Sequence, residues 1–168
     1  GAVTAANDIC ASINEHSITG LIGTNGAGKT TFVNMVTGYL KPSAGSIHFA
    51  GRDITPLPPR QITRLGIARS FQIPQLYDTL TVRENLIVAL GIVLRNAKQT
   101  FFSRLSAQVP GHNDSLDNVA DNLMNQFNLN DYGDRVARVL PQGVRKQLDI
   151  AMAMAGKPQV LLLDEPTS

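Results

Sequence analysis

Cysteine and long apolar runs are the features that this sequence has least of. Cys10 is the one cysteine in 168 residues, so no internal disulfide can form, which suits a reducing compartment. The longest apolar run, residues 86–94, is shorter than the roughly 20 residues of a membrane-spanning helix, and we interpret it as a buried helix. The first residues lack the basic stretch of a signal peptide. The formal net charge is only +2 and the basic residues form no run, so we expect no nucleic-acid partner.

A glycine-rich segment, residues 23–30, is the most informative part of the sequence. The apolar residues 18–22 before it predict a buried strand, and residues 31–38 after it predict a helix that ends at glycine. A strand, a glycine-rich turn, Lys-Thr and a helix are the context of a phosphate-binding P-loop, whose N–H groups hold an anion at the helix N-terminus. Lys29 would then contact the β- and γ-phosphates, and the Thr30 hydroxyl would bind Mg²⁺. The alternative is a turn with a chance Lys-Thr.

Two carboxylates follow a second apolar run near the end of the sequence. Residues 160–163 predict a buried strand, and Asp164 and Glu165 come directly after it. Successive side chains of a strand point in opposite directions, so one acid can bind Mg²⁺ while the other acts on a water molecule. The alternative is a pair of acids in a surface turn, but the P-loop upstream favours the catalytic interpretation.

Periodicity predicts the other elements of the chain. Gln72 stands at the end of one predicted strand, where α/β sheets place ligand contacts. Thr81 together with Glu84, three residues later, predicts a capping box at the start of a helix. The predicted strands cover residues 8–14, 46–51 and 67–71. The predicted helices cover residues 81–95, 116–129 and 148–155, and one further helix is predicted to start at residues 58–59.

Taken in order, these motifs resemble the nucleotide-binding domain of ABC transporters. The similarity runs over residues 1–168 and includes Walker A at 23–30, the Q-loop glutamine Gln72, a signature region at 140–147, and Walker B with its catalytic glutamate at 161–165. The strings Gly-Leu-Ile-Gly-Thr-Asn-Gly-Ala-Gly-Lys-Thr-Thr, Arg-Ser-Phe-Gln and Leu-Thr-Val-Arg-Glu-Asn-Leu are similar to the ATPase subunits of branched-chain amino acid importers.

The resemblance implies an α/β fold, with a P-loop NTPase core sheet, an N-terminal antiparallel β part and an inserted helical subdomain. We expect residues 1–72 and 156–168 to form the core, and residues 73–155 to form the helical subdomain with the signature. The family's adenine-stacking aromatic would precede Gly1, and its D-loop and switch histidine would follow Ser168. We therefore expect a chain truncated at both ends, whose core lacks the strands after Walker B and which is itself inactive.

The resemblance also implies the site residues. The catalytic residues would be Glu165, Gln72 and Lys29, and Mg²⁺ would be held by Thr30, Gln72 and Asp164. ATP would be bound by Gly23, Thr24, Asn25, Gly26, Ala27, Gly28, Lys29, Thr30 and Thr31. The signature, acting on the ATP of a partner subunit, would comprise Leu140, Pro141, Gln142, Gly143 and Val144. Pro141 departs from the family's Leu-Ser-Gly-Gly-Gln, in which serine occupies this position.

The function implied is hydrolysis of ATP with Mg²⁺ to power an ABC importer, with branched-chain amino acids as the solute. The implied partners are a second ATP-binding subunit, identical or different, two transmembrane permease subunits and, indirectly, a solute-binding protein. The location would be peripheral, on the cytoplasmic side of the plasma (inner) membrane. The alternatives are an ABC ATPase of translation or DNA repair, and a nucleotide-binding module with impaired catalysis, which Pro141 suggests.

Overall fold

The chain contains both helices and strands, as expected of an α/β protein. The structure is a computed structural model and describes residues 7–71, 74–96 and 115–163. The chain divides into two compact units, Gly1–Thr63 and Arg64–Ser168. The helices are α1 (Lys29–Val36), α2 (Pro59–Arg64), α3 (Val82–Asn96), α4 (Leu116–Gln126) and α5 (Gln142–Met154). The strands are β1 (His48–Phe49), β2 (Arg52–Asp53), β3 (Ile67–Ser70) and β4 (Val160–Leu163), and single 3₁₀ turns cover Asn130–Tyr132 and Ala137–Val139.

The first unit contains a short antiparallel hairpin. His48 of β1 lies opposite Asp53 of β2. The two turn residues, Ala50 and Gly51, have φ of 48° and 76°, the left-handed backbone that a two-residue hairpin turn requires. The hairpin strand predicted within residues 46–51 is therefore confirmed, and it is shorter than predicted.

Two other strand predictions in this unit are wrong. Residues 8–14 and 18–22 have no strand structure, and Ile18 and Ile22 are almost fully exposed. A strand is stable only when a neighbour satisfies its N–H and C=O groups and covers its apolar face. In the described part of the chain neither segment pairs with a strand, so alternation and apolar composition alone do not produce one.

Helices α3, α4 and α5 of the second unit share one apolar core. The α3 start has the predicted capping box, because Thr81 N–H donates to Glu84 Oε2 at 2.7 Å and Glu84 N–H donates to Thr81 Oγ1 at 3.2 Å. At the α4 start, Ser115 Oγ accepts from Asn118 N–H at 3.4 Å. The buried cluster includes Val82, Leu86, Leu90, Val119, Leu123, Leu129, Leu148 and Ala151. The boundaries that we expect between core (1–72 and 156–168) and helical subdomain (73–155) stay a prediction.

Strands β3 and β4 pair in parallel in the second unit. Ile67 lies opposite Val160, and Ser70 lies opposite Leu163. The carbonyl oxygen of Gly66, just before β3, accepts from the N–H groups of Gln159 and Val160 at 2.8 and 3.1 Å. The strands predicted at 67–71 and 160–163 are therefore confirmed, and their carboxyl ends lie side by side, but the predicted burial of the second strand is wrong because β4 is partly buried and Leu163 is exposed.

Candidate functional site

The P-loop is a tight turn that leads directly into helix α1. The N–H of Ala27 donates to the carbonyl of Thr24 at 3.1 Å, which closes the turn. Gly26 has φ of 81°, and Gly28, the N-cap of α1, has φ of 88°. L side chains rarely adopt this backbone, so glycine at both positions lets the chain turn sharply and begin the helix within one residue.

The side chain of Lys29 reaches back to the two residues that open the loop. Its Nζ donates to the carbonyl oxygens of Gly23 and Thr24 at 2.7 and 2.9 Å. A Cβ added to Gly23 would lie 3.1 Å from the Cβ of Ala27, which shows how closely the loop folds on itself. The ammonium group thus bonds to two carbonyl oxygens of the loop, and the anionic oxygens of a ligand can replace them as acceptors.

This geometry fits a phosphate group. The first N–H groups of a helix have no acceptor within the helix and carry its positive dipole end, so they bind anions. Helix α1 spans eight residues, Lys29–Val36, and its first turn adjoins the left-handed glycines. The residues predicted to bind ATP, 23–31, therefore form one continuous loop and first helical turn beside a lysine.

The magnesium prediction rests on residues that are described only in part. Thr30 is exposed on the first turn of α1, where a hydroxyl can serve as an oxygen ligand. Gln72, Asp164 and the catalytic candidate Glu165 lie outside the described residues. Within residues 7–71, 74–96 and 115–163, no group of three or more His, Cys, Asp or Glu side chains could hold a metal. The Mg²⁺ site stays a prediction.

The strands that precede these residues in the sequence end together. Ser70, at the end of β3, is opposite Leu163, at the end of β4. Gln72 lies two residues after the end of β3 in the sequence, and Asp164 lies one residue after the end of β4. Ligand contacts in parallel α/β sheets lie at the carboxyl ends of strands, so both predicted residues follow strand ends of the appropriate kind.

The signature region is placed at the start of α5. Leu140 is buried, whereas Pro141, Gln142 and Gly143 are exposed. Pro141 is the N-cap of α5, with φ of −55° and ψ of 149°, and no side-chain cap is present at this helix start. A Cβ added to Gly143 would meet no atom within 4 Å. The exposed turn of the signature is therefore accessible, and the helix predicted at 148–155 begins six residues earlier, directly after Pro141.

Sequence reasoning missed two charged residues that lie further along α5. Lys146 and Asp149 are both buried, and both contact the backbone that follows β3. Lys146 Nζ donates to the carbonyl of Phe71 at 2.7 Å, and Asp149 Oδ2 accepts from the N–H of Phe71 at 3.1 Å. The available signal was a pair of opposite charges three residues apart on a helix that otherwise buries Leu148 and Ala151.

Residues 6–168 match the family model described as ABC transporter. Over 168 residues the chain is 36% identical to the high-affinity branched-chain amino acid transport ATP-binding protein LivG of Salmonella typhimurium (strain LT2), covering 100% of this chain and 66% of that protein. It is also 36% identical, over 162 residues, to a probable branched-chain amino acid transport ATP-binding protein LivG of Archaeoglobus fulgidus, with 96% and 62% of the two chains covered.

Solved structures give the same result for the fold. A nucleotide-free ATP-binding cassette from an ABC transporter superposes with a TM-score of 0.65 at 30% identity, covering 86% of this chain and 56% of that chain. An ATP-binding cassette of an ABC transporter in its ADP conformation gives a TM-score of 0.65 at 30% identity, covering 88% and 57%. The chain thus spans just over half the length of these cassettes. In its described residues, no helix has both the length and the apolar composition to cross a bilayer.

Proposed function

Because the chain belongs to the ABC transporter family, we propose that it is an ATP-binding and ATP-hydrolysing subunit of an importer of branched-chain amino acids. The observation that carries the proposal is the P-loop, with left-handed Gly26 and Gly28 before α1 and the Lys29 amino group 2.7 Å from the Gly23 carbonyl. The solute class rests on the relatives, which are named as branched-chain amino acid transport ATP-binding proteins.

The P-loop would hold the phosphates of ATP. The N–H groups of the loop and of the first turn of α1 would donate to phosphate oxygens. Lys29 would exchange its bonds to the carbonyls of Gly23 and Thr24 for bonds to the β- and γ-phosphates. Ammonium–phosphate hydrogen bonds are stronger than neutral ones, so this exchange favours the bound nucleotide. The same charge would stabilise the transferring phosphoryl group.

Four further residues would complete hydrolysis. Thr30, Gln72 and Asp164 would hold Mg²⁺, which neutralises charge on the β- and γ-phosphates when it is bound. Glu165 would orient the attacking water and polarise it as a general base. Gln72 would contact both the metal and the water, so that hydrolysis depends on the position of the segment that contains it.

The composite site would need a second ATP-binding subunit, identical or different. Two subunits would associate head to tail, so that residues 140–144 of one contact the ATP held by the P-loop of the other. Closure of this dimer would drive two transmembrane permease subunits, and a solute-binding protein would deliver the amino acid to them. The subunit would then be peripheral, on the cytoplasmic side of the plasma (inner) membrane.

Uptake by reconstituted vesicles tests the proposal. The protein, expressed from its complete reading frame, is combined with its permease and binding-protein partners, and uptake of labelled leucine, isoleucine and valine is compared with that of lysine. We expect uptake of the branched solutes that requires ATP and is lost in Lys29→Ala. The control is Lys41→Ala, because Lys41 is also a lysine that donates to a carbonyl, that of Pro56 at 3.2 Å, but lies outside the P-loop. ATP-dependent uptake of lysine alone would overturn the solute class, and absence of ATP binding would overturn the whole proposal.

A second candidate function is nucleotide binding with little hydrolysis, and Pro141 favours it. Proline at the N-cap of α5 provides neither a hydroxyl nor an N–H to a γ-phosphate. Single-turnover hydrolysis by the protein expressed from its complete reading frame separates the two functions. Conversion of bound ATP to ADP within minutes supports the importer ATPase, and ATP that stays intact over hours supports the binding module.

A further inference from the structure

Helix α5 holds the backbone on both sides of Gln72. Lys146 Nζ donates to the carbonyl of Phe71 at 2.7 Å. The carboxylate of Asp149 accepts from the N–H of Phe71 at 3.1 Å through Oδ2 and from the N–H of Gln75 at 3.4 Å through Oδ1. One turn of α5 therefore contacts the N–H and the carbonyl of Phe71, which precedes Gln72, and the N–H of Gln75, which lies three residues after Gln72.

These contacts are made by charges that are removed from water. Lys146 and Asp149 are each 6% exposed, and a buried charge is costly unless it is hydrogen bonded. Bonds from a charged group to an amide are shorter and stronger than neutral ones. A carboxylate that accepts from the amides of Phe71 and Gln75 and an ammonium that donates to the carbonyl of Phe71 therefore fix the backbone at these two residues.

The positions of Lys146 and Asp149 along α5 connect them to the signature region. The helix begins at Gln142, beside Pro141 and Gly143 of the signature region. Gly143 and Asp149 are six residues apart, which corresponds to about 9 Å along a helix axis. A helix of this length behaves as a rigid element, so displacement of its first turn also displaces the Lys146 and Asp149 side chains.

We propose that Lys146 and Asp149 are positioning residues that link the two nucleotide sites of the dimer. The inference rests on the proposed function, in which the start of α5 contacts the partner's ATP and Gln72 serves the subunit's own ATP. Binding of the partner's ATP moves α5, and Lys146 and Asp149 carry that movement to the backbone around Gln72. Hydrolysis at one site thus depends on occupancy of the other.

The test uses Lys146→Met and Asp149→Asn in the protein expressed from its complete reading frame. The matched controls are Lys157→Met and Asp134→Asn, which change an exposed lysine and an exposed aspartate of the same unit. Turnover is measured against ATP concentration, ATP affinity is measured on the monomer, and hydrogen exchange is measured at the amides of Phe71 and Gln75.

We expect both variants to keep the monomer's ATP affinity within about twofold while kcat falls at least about tenfold, because small displacements of a catalytic group have effects of this size. The Hill coefficient for ATP should fall toward 1, and the amides of Phe71 and Gln75 should exchange faster. Lys146→Arg should recover most of the turnover, since it keeps the donor and the charge. The controls should match the wild type in every measurement.

Asp149→Glu keeps the charge but moves the carboxylate by one methylene. This variant tests the inference if Asp149→Asn does not fold. A folded Asp149→Glu with reduced kcat and a reduced Hill coefficient supports the inference. A wild-type kcat and Hill coefficient in folded Lys146→Met, Asp149→Asn or Asp149→Glu overturn it while leaving the proposed function intact. Wild-type protein that binds no ATP overturns the proposed function and this inference together.

Discussion

The Nζ atom of Lys29 and the carbonyl oxygen of Gly23 are 2.7 Å apart, although Gly23 begins the P-loop and Lys29 lies near its end. Lys29→Ala removes this ammonium from the loop. Loss of two charge-assisted hydrogen bonds to phosphate costs about 3 kcal/mol, or roughly 100-fold in the ATP dissociation constant. Nucleotide titration by isothermal calorimetry measures the change. ATP affinity in Lys29→Ala equal to that of Lys41→Ala would contradict the P-loop assignment.

Glu165→Gln keeps the side-chain shape and removes the charge that would polarise water. We expect ATP to bind normally, hydrolysis to fall by about two orders of magnitude or more, and the protein to accumulate as an ATP-bound dimer. Steady-state turnover and size-exclusion chromatography with ATP measure these effects. Glu15→Gln, at an exposed glutamate of the first unit, is the control and should behave as wild type. Normal hydrolysis in Glu165→Gln would mean that another group activates the water.

Pro141→Ser would restore a hydroxyl and an N–H at the start of α5. One donor aimed at developing charge is typically worth about 10²–10³ in rate, so we expect at least about a tenfold rise in turnover with unchanged ATP affinity of the monomer. Pro141→Ala restores the N–H alone and should give an intermediate rate. Equal turnover in all three proteins would show that Gly143 and the helix N-terminus suffice, or that the functional partner carries its own intact signature.

Asn85→Ala should destabilise the second unit. The side chain is fully buried; its Nδ2 donates to the carbonyls of Tyr77, Leu80 and Thr81 at 3.1, 3.2 and 2.8 Å, and its Oδ1 accepts from Tyr77 N–H at 2.9 Å. Removing it takes the side-chain acceptor from the Tyr77 N–H and one of two donors from each of the three carbonyls, and this loss of four hydrogen bonds costs about 2–4 kcal/mol. Urea unfolding measures the loss. Asn118→Ala, at an exposed position of α4, should change the free energy of unfolding by less than about 0.5 kcal/mol.

Asp53 should titrate at lower pH than a free aspartate. The side-chain hydrogen bond with Thr55 and the 2.8 Å bond from the Thr55 N–H lower the pKa of the carboxyl group, with a smaller contribution from His48. Because the folded pKa lies below the unfolded value of about 3.9, this stabilisation is complete above that pH and is lost as pH falls through the folded pKa.

The Asp53 titration can be followed by NMR. Thr55→Val removes the hydroxyl and should move the Asp53 pKa upward, whereas Thr55→Ser keeps the hydroxyl and should not. The valine variant also removes the acceptor of Ile47 N–H, which lies 2.8 Å from Thr55 Oγ1. An Asp53 pKa that is the same in the two variants would assign the shift to the backbone bond instead.

Local features of this chain were predictable from its sequence. The capping box of Thr81 and Glu84 needs only residues three apart, and the P-loop turn needs only glycine at Gly26 and Gly28. The helix predicted at 148–155 covers only the second half of α5, which begins at Gln142, whereas strands β3 and β4 were predicted at the right positions. The capping box and the P-loop turn depend on interactions within a few residues, and the predicted part of α5 depends on one periodic apolar face.

The failures involve partners that are distant in sequence. Residues 18–22 have the composition of a buried strand, but composition does not supply the neighbouring strand that would pair with it. Lys146 and Asp149 looked like ordinary polar positions of a helix, because Phe71 and Gln75, which they contact, lie about 75 residues earlier. Pattern analysis of a single sequence carries no information about such pairs.

The parallel pairing of β3 and β4 also sets an order for synthesis. Ile67 pairs with Val160, about 90 residues later, so β3 leaves the ribosome about 5–20 s before its partner at ordinary elongation rates. For most of that interval α3 and α4 lack α5, which ends only six residues before β4, and the edge of β3 lacks its partner β4 and is open to other chains. Chaperone demand should therefore peak before β4 emerges, and protease resistance of stalled chains of increasing length should rise in a step once residue 163 has left the exit tunnel.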